Sequence, residues 1–253
     1  LSDEEKKAGV VAFSSGNHAQ GVAWAAAKLG IDAKIVIPSD APRLKVEATR
    51  GWGAEIIFYD RMKEDRAEIA ARIAAERGSV VVPSFDDPWI IEGQGSAGFE
   101  ALDQLGFAPD LVVTPCGGGG LASGLALALP DARIAFGEPE GWDDMCRSLE
   151  AGQIVPVGPN PPATSCDALQ TLRVSPLTFG VLSDRGAEGL AISEQEVAAA
   201  MKFAHAEMGL VLEPGGAVGL AALLSGKVAP TERTLVILSG GNVEAATFAA
   251  MTA

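Results

Sequence analysis

The stretch Val10-Val11-Ala12-Phe13-Ser14-Ser15-Gly16-Asn17-His18-Ala19-Gln20-Gly21 decides how the chain is read. Four apolar residues in a row read as a buried strand and Ser14 to His18 as a small polar turn. Ala19 onward reads as a helix with Val22, Ala23, Ala26 and Leu29 on one face. A strand entering a helix through Ser-Ser-Gly-Asn aims several unpaired N–H groups at one point, and the helix dipole adds partial positive charge there. Such a turn suits an anion. In isolation, an ordinary strand-to-helix turn capped by Ser or Asn would look the same.

Two further turns repeat the plan. Leu111 to Thr114 reads as a strand, followed by Pro115-Cys116-Gly117-Gly118-Gly119-Gly120-Leu121 and a small-residue helix from Leu121 to Leu129. Consecutive glycines let the backbone wrap an anion with no Cβ in the way, presenting N–H donors as a nest. The Lys-Ser/Thr ending of the nucleotide-triphosphate loop is absent, and the spacing is not the dinucleotide fingerprint. Leu235-Val236-Ile237-Leu238-Ser239-Gly240-Gly241-Asn242 is the third such turn.

Around these turns the chain alternates strand and helix. Strands are expected at 10–13, 34–37, 55–59, 80–82, 111–114, 133–138 and 234–238, with helical runs at 43–50, 62–77 and 95–105. Ser193-Glu194-Gln195-Glu196 is a capping box opening a helix that ends near Met208. This pattern predicts an α/β protein with a mainly parallel sheet. Residues 156–162, rich in proline, read as an ordered surface connection.

Composition narrows the function. The 253 residues suffice for a sizeable core, and a net charge of −14 argues against a nucleic-acid partner. No apolar run reaches the length of a membrane span, and Leu-Ser-Asp-Glu-Glu-Lys-Lys is no signal peptide. Cys116, Cys146 and Cys166 lack a CxxC spacing, which points to reduced thiols in a cytoplasm, with a packing role for Cys116. With only His18 and His205, a zinc site built of several histidines is excluded. A Ser-His-Asp triad would have to use one of the two, and His205 reads as a plain mid-helix histidine.

Ser-Ser-Gly-Asn-His-Ala-Gln-Gly, Pro-Cys-Gly-Gly-Gly-Gly-Leu, Leu-Glu-Pro-Gly-Gly-Ala and Leu-Ser-Gly-Gly-Asn together resemble the signatures of the fold-type II pyridoxal 5'-phosphate (PLP) enzymes. The serine/threonine dehydratase and serine racemase branch matches best, in order and across almost the whole chain. The resemblance implies a two-lobed, tryptophan synthase β-like fold, each lobe a mainly parallel sheet flanked by helices. Residues 9–86 would form a small lobe, and residues 1–8 with 87–253 the large PLP-binding lobe.

The same resemblance assigns residues. Gly117, Gly118, Gly119 and Gly120, with Leu121 opening the helix, would cradle the cofactor phosphate. Asn17 would bond the ring hydroxyl, Ser239 would face the pyridine nitrogen, and Glu213 would lie near the cofactor. Ser14, Ser15, Gly16, Asn17 and His18 would surround the substrate carboxylate, and Ser15 matches the acid/base of the racemases, a serine common in dehydratases too. Glu138, the Trp142 carbonyl and Asp144 match the family's divalent-cation site, whose hard oxygens suit Mg²⁺, Ca²⁺ or Mn²⁺. An acidic surface turn is the plainer reading of that segment.

Two departures stand out. Ala168 replaces the usual glycine of Ala-Asp-Gly, which places a Cβ beside the cofactor. The segment Ser-Phe-Lys-x-Arg-Gly-Ala, bearing the Schiff-base lysine, does not occur in this sequence. Lys6 and Lys7 lie in a stretch resembling the helix after that segment, so an N-terminal part is expected to be missing. The implied function is a PLP-dependent ammonia-lyase (dehydratase) acting on L-serine, L-threonine or 3-hydroxyaspartate, cytoplasmic and homodimeric. The alternatives are a serine or aspartate racemase, and a non-catalytic PLP-binding protein if the lysine is truly absent.

Overall fold

The computed structural model describes residues 1–14, 16–60 and 63–253. By their contacts these form two units, Leu1–Ser84 and Phe85–Ala253.

The first unit opens with α1 (Asp3–Ala8), begun by a reciprocal Ser2–Glu5 capping box. Then follow β1 (Val10–Phe13), α2 (Asn17–Leu29), β2 (Ala33–Pro38), α3 (Arg43–Gly51), β3 (Glu55–Tyr59), α4 (Arg66–Arg77) and β4 (Val80–Val82). The sheet runs β3-β2-β1-β4, every pair parallel, with Val10 opposite both Ala33 and Val80. Side chains alternate across a strand, so central β1 serves two cores. Val10 and Ala12 pack with Ala19, Ala23 and Val46, while Val11 packs with Ile69, Ala70 and Ala74. That two-sided burial is why β1 is uninterruptedly apolar. Helix α1 belongs to this unit, where the Ser79 hydroxyl donates to the Ala8 carbonyl at 2.6 Å.

The second unit contains α5 (Pro88–Leu105), β5 (Leu111–Pro115), α6 (Gly120–Ala128), β6 (Arg133–Pro139), α7 (Asp144–Ala151) and a 3₁₀ turn at Asp167–Leu169. It continues through α8 (Pro176–Asp184), β7 (Glu188–Ile192), α9 (Glu194–Met208), α10 (Pro214–Leu224), β8 (Thr234–Val236) and α11 (Ala245–Thr252). Its parallel sheet runs β7-β6-β5-β8. Leu111 and Val113 face a core with Met201, Val218 and Ala221, whereas Val112 and Phe136 face one with Ala122, Leu125 and Leu182. Helices α5 and α6 approach through glycines: a Cβ on Gly124 would lie 2.5 Å from the Gly95 nitrogen.

Several boundaries differ from the sequence reading. Helix α5 starts at Pro88, not Gly95, because Asp87 caps the Trp89 and Ile90 amides and proline suits the first turn. Helix α4 starts at Arg66 behind the Asp65 cap rather than at Met62, which lies outside the described residues. Helix α2 begins at Asn17, inside the expected turn, and β8 ends at Val236. Strand β7 was not anticipated. The proline-rich connection is tied down by the Val157 amide, which donates to the Leu172 carbonyl at 2.9 Å.

Candidate cofactor and substrate site

In the second unit the glycine loop leaves the carboxyl end of β5, where the Cys116 amide still donates to the Gly137 carbonyl at 2.9 Å. Gly119 has φ +87, the left-handed conformation that glycine adopts without strain, and it heads α6 with no side-chain cap. Ser2, Asp65, Asp87, Ser175 and Ser193 each cap the helix that follows them, whereas α2, α3, α7, α10 and α11, like α6, begin without a side-chain cap from the leading residue. No side-chain cap takes up the first-turn amides of α6. A Cβ on Gly118 would fall 2.1 Å from Cδ1 of Phe85, so the Phe85 ring occupies the space that any larger residue would need. Phe85 lies in no recognisable motif, and the sequence reading missed it.

Chain segments far apart in sequence converge on this loop. A Cβ on Gly117 would lie 3.3 Å from Leu169 Cα and 3.5 Å from the Ala168 carbonyl. One on Gly215 would lie 3.3 Å from Leu169 Cγ and 3.7 Å from Ala168 Cβ. The buried Glu213 heads α10, and its amide donates to the Gly240 carbonyl at 3.0 Å. Gly216 lies directly against Gly240, and Ser239 beside it is exposed. The structure thus gathers the glycine loop, Ala168, Glu213 and the third turn at the carboxyl end of one parallel sheet, the end where open α/β sheets bind ligands. The α6 N-terminus without a side-chain cap and the glycines that admit close approach fit a phosphate-bearing cofactor.

The first turn belongs to the first unit. The Ser14 amide donates to the Val36 carbonyl (3.2 Å), and the Ser14 hydroxyl accepts from the Gly16 amide (3.2 Å). Gly16 heads α2 without a side-chain cap, and Asn17 is exposed. His18 Nε2 lies 3.1 Å from the Val82 carbonyl, which only accepts, so Nε2 carries the proton. Burial pushes the pKa of the imidazole below its ordinary value, against the opposing pull of that bond, and the ring is neutral at pH 7. The Ser84 hydroxyl donates to the Phe13 carbonyl (3.0 Å) at the same end of the sheet. Ser15 lies outside the described residues.

The acidic turn after β6 is exposed at Glu140 and Gly141, while its flanking acids point inward. Glu138 and Asp144 are both fully buried. Glu138 accepts from the Met145 amide (3.2 Å) and the Cys146 amide (2.8 Å), and Asp144 Oδ2 accepts from the Val174 amide (2.8 Å). Asp144 Oδ1 is buried with no hydrogen-bond partner. Burial pushes the Asp144 carboxyl up to about 7, with repulsion from Asp143 adding to it, and pushes Glu138 well above the usual carboxylate range, with repulsion from Asp144 and Asp143 adding there. Trp142 is anchored beside them, its indole N–H donating to the Pro162 carbonyl at 2.8 Å. Among the described residues no group of three or more His, Cys, Asp or Glu is arranged to hold a metal. Two carboxylates and a carbonyl would not form such a group.

The three cysteines are buried and unpaired, and burial raises the Cys146 and Cys166 thiols to about 12, so they pack as small apolar groups. His205, on α9, stacks edge-on against Phe248.

Known proteins are similar to this chain in sequence and in fold. L-threo-3-hydroxyaspartate ammonia-lyase of Saccharomyces cerevisiae is 42% identical over 256 residues, covering 99% of this chain and 78% of that protein. Serine racemase of Schizosaccharomyces pombe is 40% identical over 249 residues, covering 96% of this chain and 76% of its own length. The structure of maize serine racemase matches with a TM-score of 0.91 at 36% identity, covering 99% of this chain and 78% of that one. The family model described as pyridoxal-phosphate dependent enzyme matches residues 1–240. With its uncapped glycine loop and parallel sheets, the chain belongs to the family of pyridoxal-phosphate dependent enzymes.

Proposed function

We propose that the protein is a PLP-dependent ammonia-lyase that converts a small β-hydroxy amino acid to a 2-keto acid and ammonia by β-elimination. L-threo-3-hydroxyaspartate, L-serine and L-threonine are the candidate substrates. The observation that carries this reading is the 42% identity, across 99% of the chain, to an L-threo-3-hydroxyaspartate ammonia-lyase. Bound PLP supplies an electron sink that acidifies the Cα–H of the amino acid.

The residues divide the remaining work. Gly117, Gly118, Gly119 and Gly120, with the α6 N-terminus at Leu121, hold the phosphate by backbone donors and dipole. Asn17 bonds the ring hydroxyl, and Ala168 and Glu213 border the ring. Ser239 would face the ring nitrogen, where a hydroxyl would not hold it protonated as a carboxylate would, so the cofactor would be a weaker electron sink suited to elimination. Ser14, Ser15, Gly16 and Asn17 bind the substrate carboxylate. His18 joins them through its backbone, since its ring is engaged with Val82.

Glu138, the Trp142 carbonyl and Asp144 hold a divalent cation, Mg²⁺, Ca²⁺ or Mn²⁺. Two buried acids and the orphaned Asp144 Oδ1 support that reading. We further assign residues 9–86 to the small lobe and residues 1–8 with 87–253 to the large PLP-binding lobe. Exposed Trp89, Phe99, Leu127 and Leu177 on the second unit support a homodimer, and three unpaired cysteines a cytoplasmic setting.

A racemase is the second reading, with Ser15 moving a proton at Cα. Its support is the 40% identity to one serine racemase and the TM-score of 0.91 to another. The test incubates the intact protein with each substrate, following keto acid and ammonia together with chiral analysis of the recovered amino acid. Keto acid formed faster than the enantiomer supports the lyase. The reverse supports the racemase, and neither product supports the non-catalytic alternative.

A further inference from the structure

Glu194 heads α9, far in sequence from the glycine loop, and its carboxylate bonds to one short segment. Oε1 accepts from the Thr164 hydroxyl (2.6 Å) and the Ser165 amide (3.3 Å). Oε2 accepts from the same amide (3.1 Å) and the Ser165 hydroxyl (2.6 Å). Thr164 Oγ1 in turn accepts from the Cys166 amide (3.1 Å), and the Cys166 carbonyl accepts from the Leu169 amide (2.9 Å). A continuous set of bonds therefore runs from a carboxylate to the 3₁₀ turn at 167–169. That turn is the wall against which Gly117 rests, 3.3 Å from a Cβ position on Gly117 to Leu169 Cα.

The rest of the segment is coil, so helix or sheet does not fix it. Hydrogen bonds to a charged acceptor are about twice as strong as neutral ones, and bonds in sequence reinforce each other. Removing the charge would let the wall move, and Gly117, with no side chain of its own, would follow.

We propose that Glu194 is a positioning residue for the glycine loop, setting the place of its backbone donors through Thr164, Ser165 and the 167–169 turn. The proposal rests on the reading that this loop holds the cofactor phosphate. It implies a dependence on Glu194 that appears in phosphate recognition more than in affinity for the ring.

The experiment titrates the apo form of the intact protein with PLP and with pyridoxal, which lacks the phosphate, and follows cofactor absorbance. The unaltered protein is compared with Glu194→Gln, Ser165→Ala and the double variant. Expected is a fall of about tenfold in the preference for PLP over pyridoxal in Glu194→Gln. Ser165→Ala, which removes one of the hydroxyl bonds, should show a smaller fall, and the double variant no more than Glu194→Gln alone. A preference left intact in both single variants overturns the proposal, even if their melting temperatures drop. Should Glu194→Gln not fold, Ser165→Ala decides in the same way. An unaltered protein that binds pyridoxal as tightly as PLP overturns the reading of the glycine loop, and this proposal with it.

Discussion

Glu138 caps a helix that begins six residues further along the chain: its two carboxylate oxygens accept the Met145 and Cys146 amides at 3.2 and 2.8 Å. The helix is α7, whose own leading residue, Asp143, makes no side-chain cap. Glu138→Gln turns one acceptor into a donor facing an amide. The substitution should destabilise the protein by about 1–3 kcal/mol, measured by urea unfolding in the presence of chelator. An unchanged unfolding midpoint would mean that the cap carries no net stability.

The same turn gives a pH dependence. Glu138 and Asp144 both have folded pKa values above their unfolded ones, Asp144 at about 7 against 3.8. Their contribution is thus fully present at pH below the unfolded values and is lost as pH rises through about 7 for Asp144. Chelator-treated protein should melt at a higher temperature at pH 5 than at pH 8. Millimolar Mn²⁺, Mg²⁺ or Ca²⁺ should raise the value at pH 8 most, since a cation binds the ionised pair. A melting temperature at pH 8 that ignores all three ions would reduce the site to a buried acidic turn.

His18 behaves in the opposite sense. Its pKa is lowered in the fold, so its contribution is present above the ordinary imidazole value and lost as pH falls through the folded one. His18→Ala leaves the Val82 carbonyl unpaired and should cost about 1 kcal/mol at pH 8, with a smaller difference at pH 5. His18→Gln, which keeps a donor, should recover part of the loss. Equal losses for Ala and Gln would assign the effect to packing instead of the hydrogen bond.

Ser239 is exposed at the third turn. In the intact protein, Ser239→Asp would hold a facing pyridine nitrogen protonated. Keto-acid formation should then slow relative to exchange of the Cα proton with solvent. Deuterium wash-in measured beside keto acid gives the ratio, and an unchanged ratio would remove Ser239 from the choice of reaction.

Central strands β1 and β5 were legible because burial on both faces demands an uninterrupted apolar run, Val10–Phe13 and Leu111–Thr114. Strand β7 was not, because it lies at the sheet edge, is only partly buried and contains Gly189, whose missing Cβ makes room for Cys146 at 2.8 Å. Helix α10, which opens on Pro214-Gly215-Gly216, had no place among the expected helical runs. Its glycines are required by the approach of Leu169 and Gly240, which no local propensity reveals. The glycine turns were legible as turns between strand and helix from their composition. The partners that shape them, Phe85, Leu169 and Glu194, were not, since a contact between remote segments leaves no periodic trace.

The meeting of α5 and α6 has a consequence for how this chain tolerates change. A Cβ on Gly124 would stand 2.5 Å from the Gly95 nitrogen and from the Ile91 carbonyl oxygen, and one on Gly95 would stand 2.9 Å from the Gly124 carbonyl oxygen. Backbone atoms have no rotamer to yield, so either substitution forces the two helix axes apart. Helix α6 would carry the glycine loop at its N-terminus with it. Sequence drift on α5, a helix with no residue in the glycine loop, is therefore constrained by the place that loop must keep.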